Sequence, residues 1–270
     1  MTLFSKYFEV GGRTLHLLHP GGSTLPGVPP EGSRGKRLVF LHPAGLDGGV
    51  WHRQLRHFDS RHSPIAFDLP SHGRSAGTEA LESIGAAADV TLALLDRLTV
   101  DRAVLVGSGV GCAIALEAAL RAPARIEALV LAAAAARLEI PANTIETWRL
   151  VTMGRSPQPF DPFGFAEGTA VEILREHFGH QVTTDPRVRY GDLVAANGAD
   201  FTARLGEIRC PVLVVSGSRD PLTPPESGAA LAASLPRARH VVLDGAGHYL
   251  YVERPDQLAA AIEAFLEELP

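Results

Sequence analysis

The side chains able to do chemistry fall in a few short segments. These are Leu41-His42-Pro43-Ala44-Gly45, Gly107-Ser108-Gly109-Val110-Gly111, the pair His177 and His180, Ser218-Arg219-Asp220-Pro221, and Gly245-Ala246-Gly247-His248. A histidine among glycines and an aspartate in a Pro-closed turn are ingredients of proton transfer near neutral pH. His177 and His180 have a metal-like spacing, but no third ligand is evident, so they read as a solvated helix face and no metal is expected. Cys112 and Cys210 lie far apart in apolar sequence. That excludes a disulfide framework and a CxxC site, and suits a reducing compartment. Gly107-x-Gly109-x-Gly111 follows a strand pattern and opens a helix, which invites a dinucleotide reading. The sixth position is Cys112, however, and residues 132–136 hold no acid for a ribose hydroxyl. No organic cofactor is expected.

The elements that must position these residues are legible in outline. Phe4–Val10 and Arg13–His19 alternate around Gly11-Gly12, a hairpin signal. After a loop rich in Gly and Pro come short apolar runs at 38–41, 64–67, 103–106, 128–132, 212–216 and 240–243. Their nearly continuous apolar character suits parallel strands covered on both faces. Helical patterns intervene: 84–98 places Ile84, Ala87, Thr91, Leu94, Leu95 and Leu98 on one face. The last helix opens at Pro255 and buries Leu258, Ile262, Phe265, Leu266 and Leu269. Strand–helix alternation implies a doubly wound α/β sheet. Residues 137–206 break the alternation, with helical pieces at 143–152, 166–178 and 190–197 around an irregular stretch, and read as an insertion.

Length and charge narrow the function further. With 270 residues, 46% of them apolar, the chain can bury a full core. Thirty acidic against 25 basic residues give −5, which argues against a nucleic-acid partner. No apolar run is long enough to cross a bilayer, and no secretory signal follows the first residues. A cytoplasmic protein acting on a small molecule, off the membrane, is expected; its oligomeric state stays open.

The motif-bearing segments sit just past the carboxyl ends of the expected strands, where open α/β sheets place ligands. In that order, with the opening hairpin, Phe67-Asp68-Leu69-Pro70-Ser71-His72-Gly73-Arg74-Ser75 and a late histidine, the chain resembles the α/β-hydrolase superfamily over nearly its whole length. The resemblance implies an α/β-hydrolase fold. Its sheet would be mostly parallel and eight-stranded with helices on both faces, formed by 1–136 and 207–270, with a helical cap at 137–206. It further implies Asp220 as the acid, His248 as the base, and the N–H groups of Ala44 and Val110 as an oxyanion hole. Asp220 would then orient one ring nitrogen and leave the other facing the pocket. His42, Ser108, Trp148 and Phe163 are candidate pocket residues, although His42 also reads as a turn brace and Ser108 as a helix-start residue whose hydroxyl caps a backbone N–H.

One position departs from the family pattern. The elbow reads Gly-x-nucleophile-x-Gly in the family, and here Gly109 stands at the nucleophile's place. Ser108, one residue early in a sharp turn, points elsewhere; Cys112 lies on the following helix and is expected to pack inward. Three readings follow. The leading one is an enzyme of this fold acting on a small apolar ester, lactone or other carbonyl compound, in which His248–Asp220 is a general base without a protein nucleophile; hydrolysis, lyase-type and cofactor-free oxygenase-type steps all remain open. The others are a ligand-binding homologue without catalysis and a serine hydrolase disarmed by glycine at the elbow.

Overall fold

The computed structural model describes residues 2–22, 24–80, 82–160 and 162–269. Met1 of the amino terminus, Asp161 of the irregular stretch and Pro270 lie outside these. Among the described residues eight strands are formed: β1 (Phe4–Val10), β2 (Arg13–His19), β3 (Arg37–Leu41), β4 (Ser63–Phe67), β5 (Ala103–Ser108), β6 (Ile126–Ala132), β7 (Val212–Gly217) and β8 (Ala238–Leu243). They make one sheet in the order β1-β2-β4-β3-β5-β6-β7-β8. β2 pairs antiparallel with β1 and β4, and every later pairing is parallel.

The apolar runs divide by alternation between two cores. On one side Val39, Leu41, Leu105, Leu129 and Val214 pack beneath α2 (Ile84–Arg97) and α3 (Val110–Arg121). On the other, Leu38, Phe40, Val104, Val106, Val130 and Leu213 meet Trp51 and Leu55. Leu55 belongs to the short helix His52–Phe58, labelled α1. A strand whose two faces are both buried needs apolar residues at every position, which is why these runs lack a polar face. The central strands β3 to β6 fit that rule; β8 is an edge strand in which only Leu243 is fully buried.

Between β6 and β7 run α4 (Ala142–Thr152), α5 (Val171–Gln181) and α6 (Pro186–Ala196). The insertion closes on itself at a neck. Leu138 N–H donates to Ala199 O, Gly198 N–H to Leu138 O and Phe201 N–H to Ala136 O, each at 2.9 Å. One expected helix is shorter than its sequence pattern: α5 starts at Val171 and not at 166, because 166–169 is a turn drawn toward the core by Glu253. The chain ends with α7 (Pro225–Ser234), α8 (Leu250–Glu253) and α9 (Pro255–Leu266). Within α9, Leu258, Ile262, Phe265 and Leu266 are buried as the periodicity predicts. Among the described residues no helix is long and apolar enough to cross a membrane.

Candidate active site

The site begins with the bend between β5 and α3. Gly109 has φ 55° and ψ −119°, a region L side chains rarely adopt, so the chain turns sharply from strand to helix there. The bend is tight because its flanks touch: a Cβ on Gly107 would strike the backbone of Gly111, and one on Gly111 the carbonyl of Leu41. α3 therefore starts directly over the end of β3, its first N–H groups facing the crevice.

His248 reaches the bend from the loop after β8. A Cβ built on Gly109 would lie 3.9 Å from His248 Nε2, and 3.3 Å from Pro43 Cβ. The other ring nitrogen, Nδ1, donates to Asp220 Oδ2 at 2.9 Å. Nε2 is thus the lone-pair nitrogen, and it faces the elbow. Asp220 is buried in the turn after β7. It accepts from Leu222 N–H at 2.8 Å, Thr223 N–H at 2.9 Å and the Thr223 hydroxyl at 2.6 Å. Burial disfavours its charge. The hydrogen bond from His248 and its electrostatic attraction, with the Thr223 donors, outweigh burial and hold the carboxyl below the usual carboxylate range.

Two further points complete the crevice. Ala44, Gly109 and His248 are each partly open to solvent while Pro43, Ser108, Val110 and Gly247 beside them are buried, so these three mark its floor. Among the described residues, neither Ala44 N–H nor Val110 N–H donates to a protein acceptor. Two unengaged N–H groups flanking the elbow are what an oxyanion site needs.

The structure corrects several pocket assignments. His42 is fully buried; Nδ1–H donates to Pro43 O at 2.9 Å and Nε2 accepts from Leu69 N–H at 3.0 Å. Both nitrogens are occupied by backbone, so His42 braces the turn and does not line the pocket. Burial, with the charge of His72 next, lowers it to about 4. Ser108 is the last residue of β5 and is buried; its hydroxyl has no partner among the described residues. It does not cap α3, whose N-cap is Gly109, and its hydroxyl is shut off from solvent. Trp148 is buried on α4 with the Arg189 guanidinium 4.5 Å above its ring. Phe163 stands 61% exposed. The cap aromatic beside the base is Phe165, whose ring lies 4.5 Å from Tyr249, the residue after His248. Cys112 is buried as expected, its thiol donating to Ala132 O at 3.4 Å; burial pushes its pKa up.

His177 and His180 part company. His177 turns inward, 4.1 Å from the Tyr249 ring, and burial, with nearby positive charge, lowers it to about 3. His180 bonds Asp47 at 2.9 Å. Its ligand atoms, with those of His52 and Glu176, lie within 4.8 Å of one another. Glu176 is held by both arms of Arg53 at 2.6 and 2.7 Å, so this cluster is internally neutralised.

Sequence reasoning missed Glu253. It is buried on α8 and accepts from Gly247 N–H and Tyr249 N–H, the two residues flanking His248, at 3.1 and 3.2 Å. Its other oxygen accepts from Ala166 N–H at 2.8 Å and the Thr169 hydroxyl at 3.0 Å. One carboxylate thereby ties the base's loop to the insertion. A carboxylate closing the short apolar run 249–252, just before Arg254, was its only trace in the sequence.

A model of the alpha/beta hydrolase family matches residues 38–261, spanning the elbow, acid and histidine. The chain belongs to the alpha/beta hydrolase family. An enol-lactonase structure from Burkholderia xenovorans LB400 superposes with a TM-score of 0.87 at 25% identity, covering 97% of this chain and all of that one. The 3-oxoadipate enol-lactonase 2 of Acinetobacter baylyi is 27% identical over 242 residues, 85% of this chain and 88% of that protein. A protein of Pseudomonas putida, the dihydrolipoyllysine-residue acetyltransferase component of an acetoin cleaving system, is 30% identical over 269 residues. That alignment takes in 96% of this chain and 68% of the relative. Membership in this hydrolase family, with a matching fold, supports a hydrolase.

Proposed function

We propose that this alpha/beta hydrolase cleaves a small, largely apolar ester or lactone, with His248 as general base on water and no protein nucleophile. The observation that carries this is the placement of Nε2. It faces the bend at Gly109 at the distance where a side-chain oxygen would otherwise stand, while Asp220 fixes the ring from behind. A water molecule at that point would give its proton to Nε2 as its oxygen attacks the carbonyl carbon. Ala44 and Val110 N–H would hold the resulting oxyanion. Collapse breaks the acyl–oxygen bond, and the imidazolium returns its proton to the leaving alkoxide. The lactonase relative favours this bond type, since a lactone is a cyclic ester.

The experiment is turnover of an ester and lactone panel by wild type and His248→Ala. Loss of the base is expected to lower kcat by about 10²–10⁴-fold on any substrate turned over. Equal rates in the two proteins would rule the mechanism out. Ligand affinity without turnover would point to the binding-protein reading.

A further inference from the structure

Asp192 lies outside every motif, on α6 of the insertion, and is buried. Its Oδ2 accepts from two donors on different parts of the core: His72 Nε2–H at 2.6 Å and Gly45 N–H at 2.9 Å. The opposite ring nitrogen of His72 meets Pro70 O at 3.0 Å, a carbonyl that only accepts, so that nitrogen bears a proton too. His72 and Asp192 are therefore a buried imidazolium–carboxylate pair. Burial opposes the imidazolium, but the charge and hydrogen bond of Asp192, then the Pro70 carbonyl and Asp68, outweigh it and raise its pKa. The neutral His42 ring is 4.8 Å from His72, and Asp68 is itself paired with His16 at 2.8 Å.

The consequence falls on Ala44. Pro43 O accepts from His42 Nδ1–H and from Leu46 N–H. In a trans peptide the N–H points opposite to the C=O, so this contact aims the Ala44 N–H away from His42. The next peptide is held through its own N–H, on Gly45, by Asp192. Both peptide planes flanking Ala44 are pinned, one from the core and one from the insertion. Arg189, one turn before Asp192, lays its stem where a Gly45 side chain would stand.

We propose that Asp192 is a positioning residue: it couples docking of α6 to the oxyanion loop by holding the Gly45 peptide that follows Ala44, so that both peptides flanking Ala44 stay fixed, with His72 as the buried counter-ion that holds it in place. This rests on the reading of Ala44 and Val110 as oxyanion donors. It makes cap docking and assembly of the oxyanion site one event, because lifting α6 frees the Gly45 peptide.

The test uses the full chain. Hydrogen exchange reads the Gly45 amide in wild type, Asp192→Ala and Asp192→Asn; an asparagine oxygen standing where Oδ2 stands can still accept from both Gly45 N–H and His72 Nε2–H. The Gly45 amide is expected to exchange at least about tenfold faster in Asp192→Ala, with recovery in Asp192→Asn and no change at Leu105 in β5. In a Gly109→Ser background, Asp192→Ala should lower kcat for p-nitrophenyl acetate by about 10–100-fold with KM held within about twofold. Unchanged Gly45 exchange overturns the proposal, and so does a loss confined to KM or to melting temperature. If Asp192→Ala does not fold, Asp192→Leu, which fills the same space and offers no acceptor, takes its place in both readouts, with the same outcomes expected and the same ones overturning the proposal. A Gly109→Ser protein inert to the ester would count against the functional reading; the exchange rates then decide the role of Asp192 alone.

Discussion

At the scale of single residues, the chemistry turns on what glycine removes and what it leaves. Asp220, His248 and the unengaged N–H groups of Ala44 and Val110 stand around a bend whose central residue has no side chain. Gly109→Ser puts an oxygen within hydrogen-bond reach of Nε2, since the Cβ lies 3.9 Å away and the Oγ extends beyond it. The Pro43 ring must give a few tenths of an ångström to admit that Cβ. The expected outcome is new activity on activated esters, with an acylation burst and covalent labelling by a serine-directed phosphonate. A variant that folds but neither bursts nor labels would show that the crevice is shaped for something other than acyl transfer.

At the scale of elements, buried histidines set the pH response. His177, between α5 and the Tyr249 loop, stays neutral until about pH 3, and His42 until about 4, mainly because burial penalises their charge. The unfolded chain protonates both near the ordinary value of 6.5, so it binds more protons than the fold between these limits. Stability is then full above about pH 6.5 and falls as pH drops toward each folded value, by an amount on the order of a few kcal/mol. His177→Gln should flatten the dependence of Tm on pH from 6.5 down to 3; an unaltered slope would mean the ring takes its proton without cost in the fold. His72 works the other way, since its raised pKa lends stability below 6.5 that fades as pH climbs through its folded value. Much of this layer was readable beforehand. The hairpin and the central strands stood out because doubly covered strands leave unbroken apolar runs. α1 and α7 did not. α1 is rich in His and Arg, and α7 in alanine with few large apolar residues, so neither shows a strong stripe.

At the scale of the whole molecule, the insertion and the sheet share the site through buried carboxylates that no motif announces. The elbow was legible as a glycine-rich turn between strand and helix, and Asp220 and His248 as acid and base through the family resemblance of their segments. Asp192 was not, because its partners Gly45 and His72 are distant in sequence; Glu253 was not, because its nearby backbone donors at Gly247 and Tyr249 leave no sequence pattern and its other partners, Ala166 and Thr169, are more than 80 residues away. Glu253→Gln leaves donors facing an amide in a dry setting, at a cost of about 3 kcal/mol. Tm should drop by roughly 5–10 °C, and kcat should fall with it as the His248 loop loosens. Normal kcat in the destabilised protein would show that the loop holds its own shape. The left-handed bend has one more effect. A side chain at φ 55° and ψ −119° sits under torsional strain of roughly 1–3 kcal/mol, and glycine sits there at ease. The same Gly109→Ser change that arms the protein should therefore lower its thermal ceiling, setting reactivity against endurance at a single Cβ.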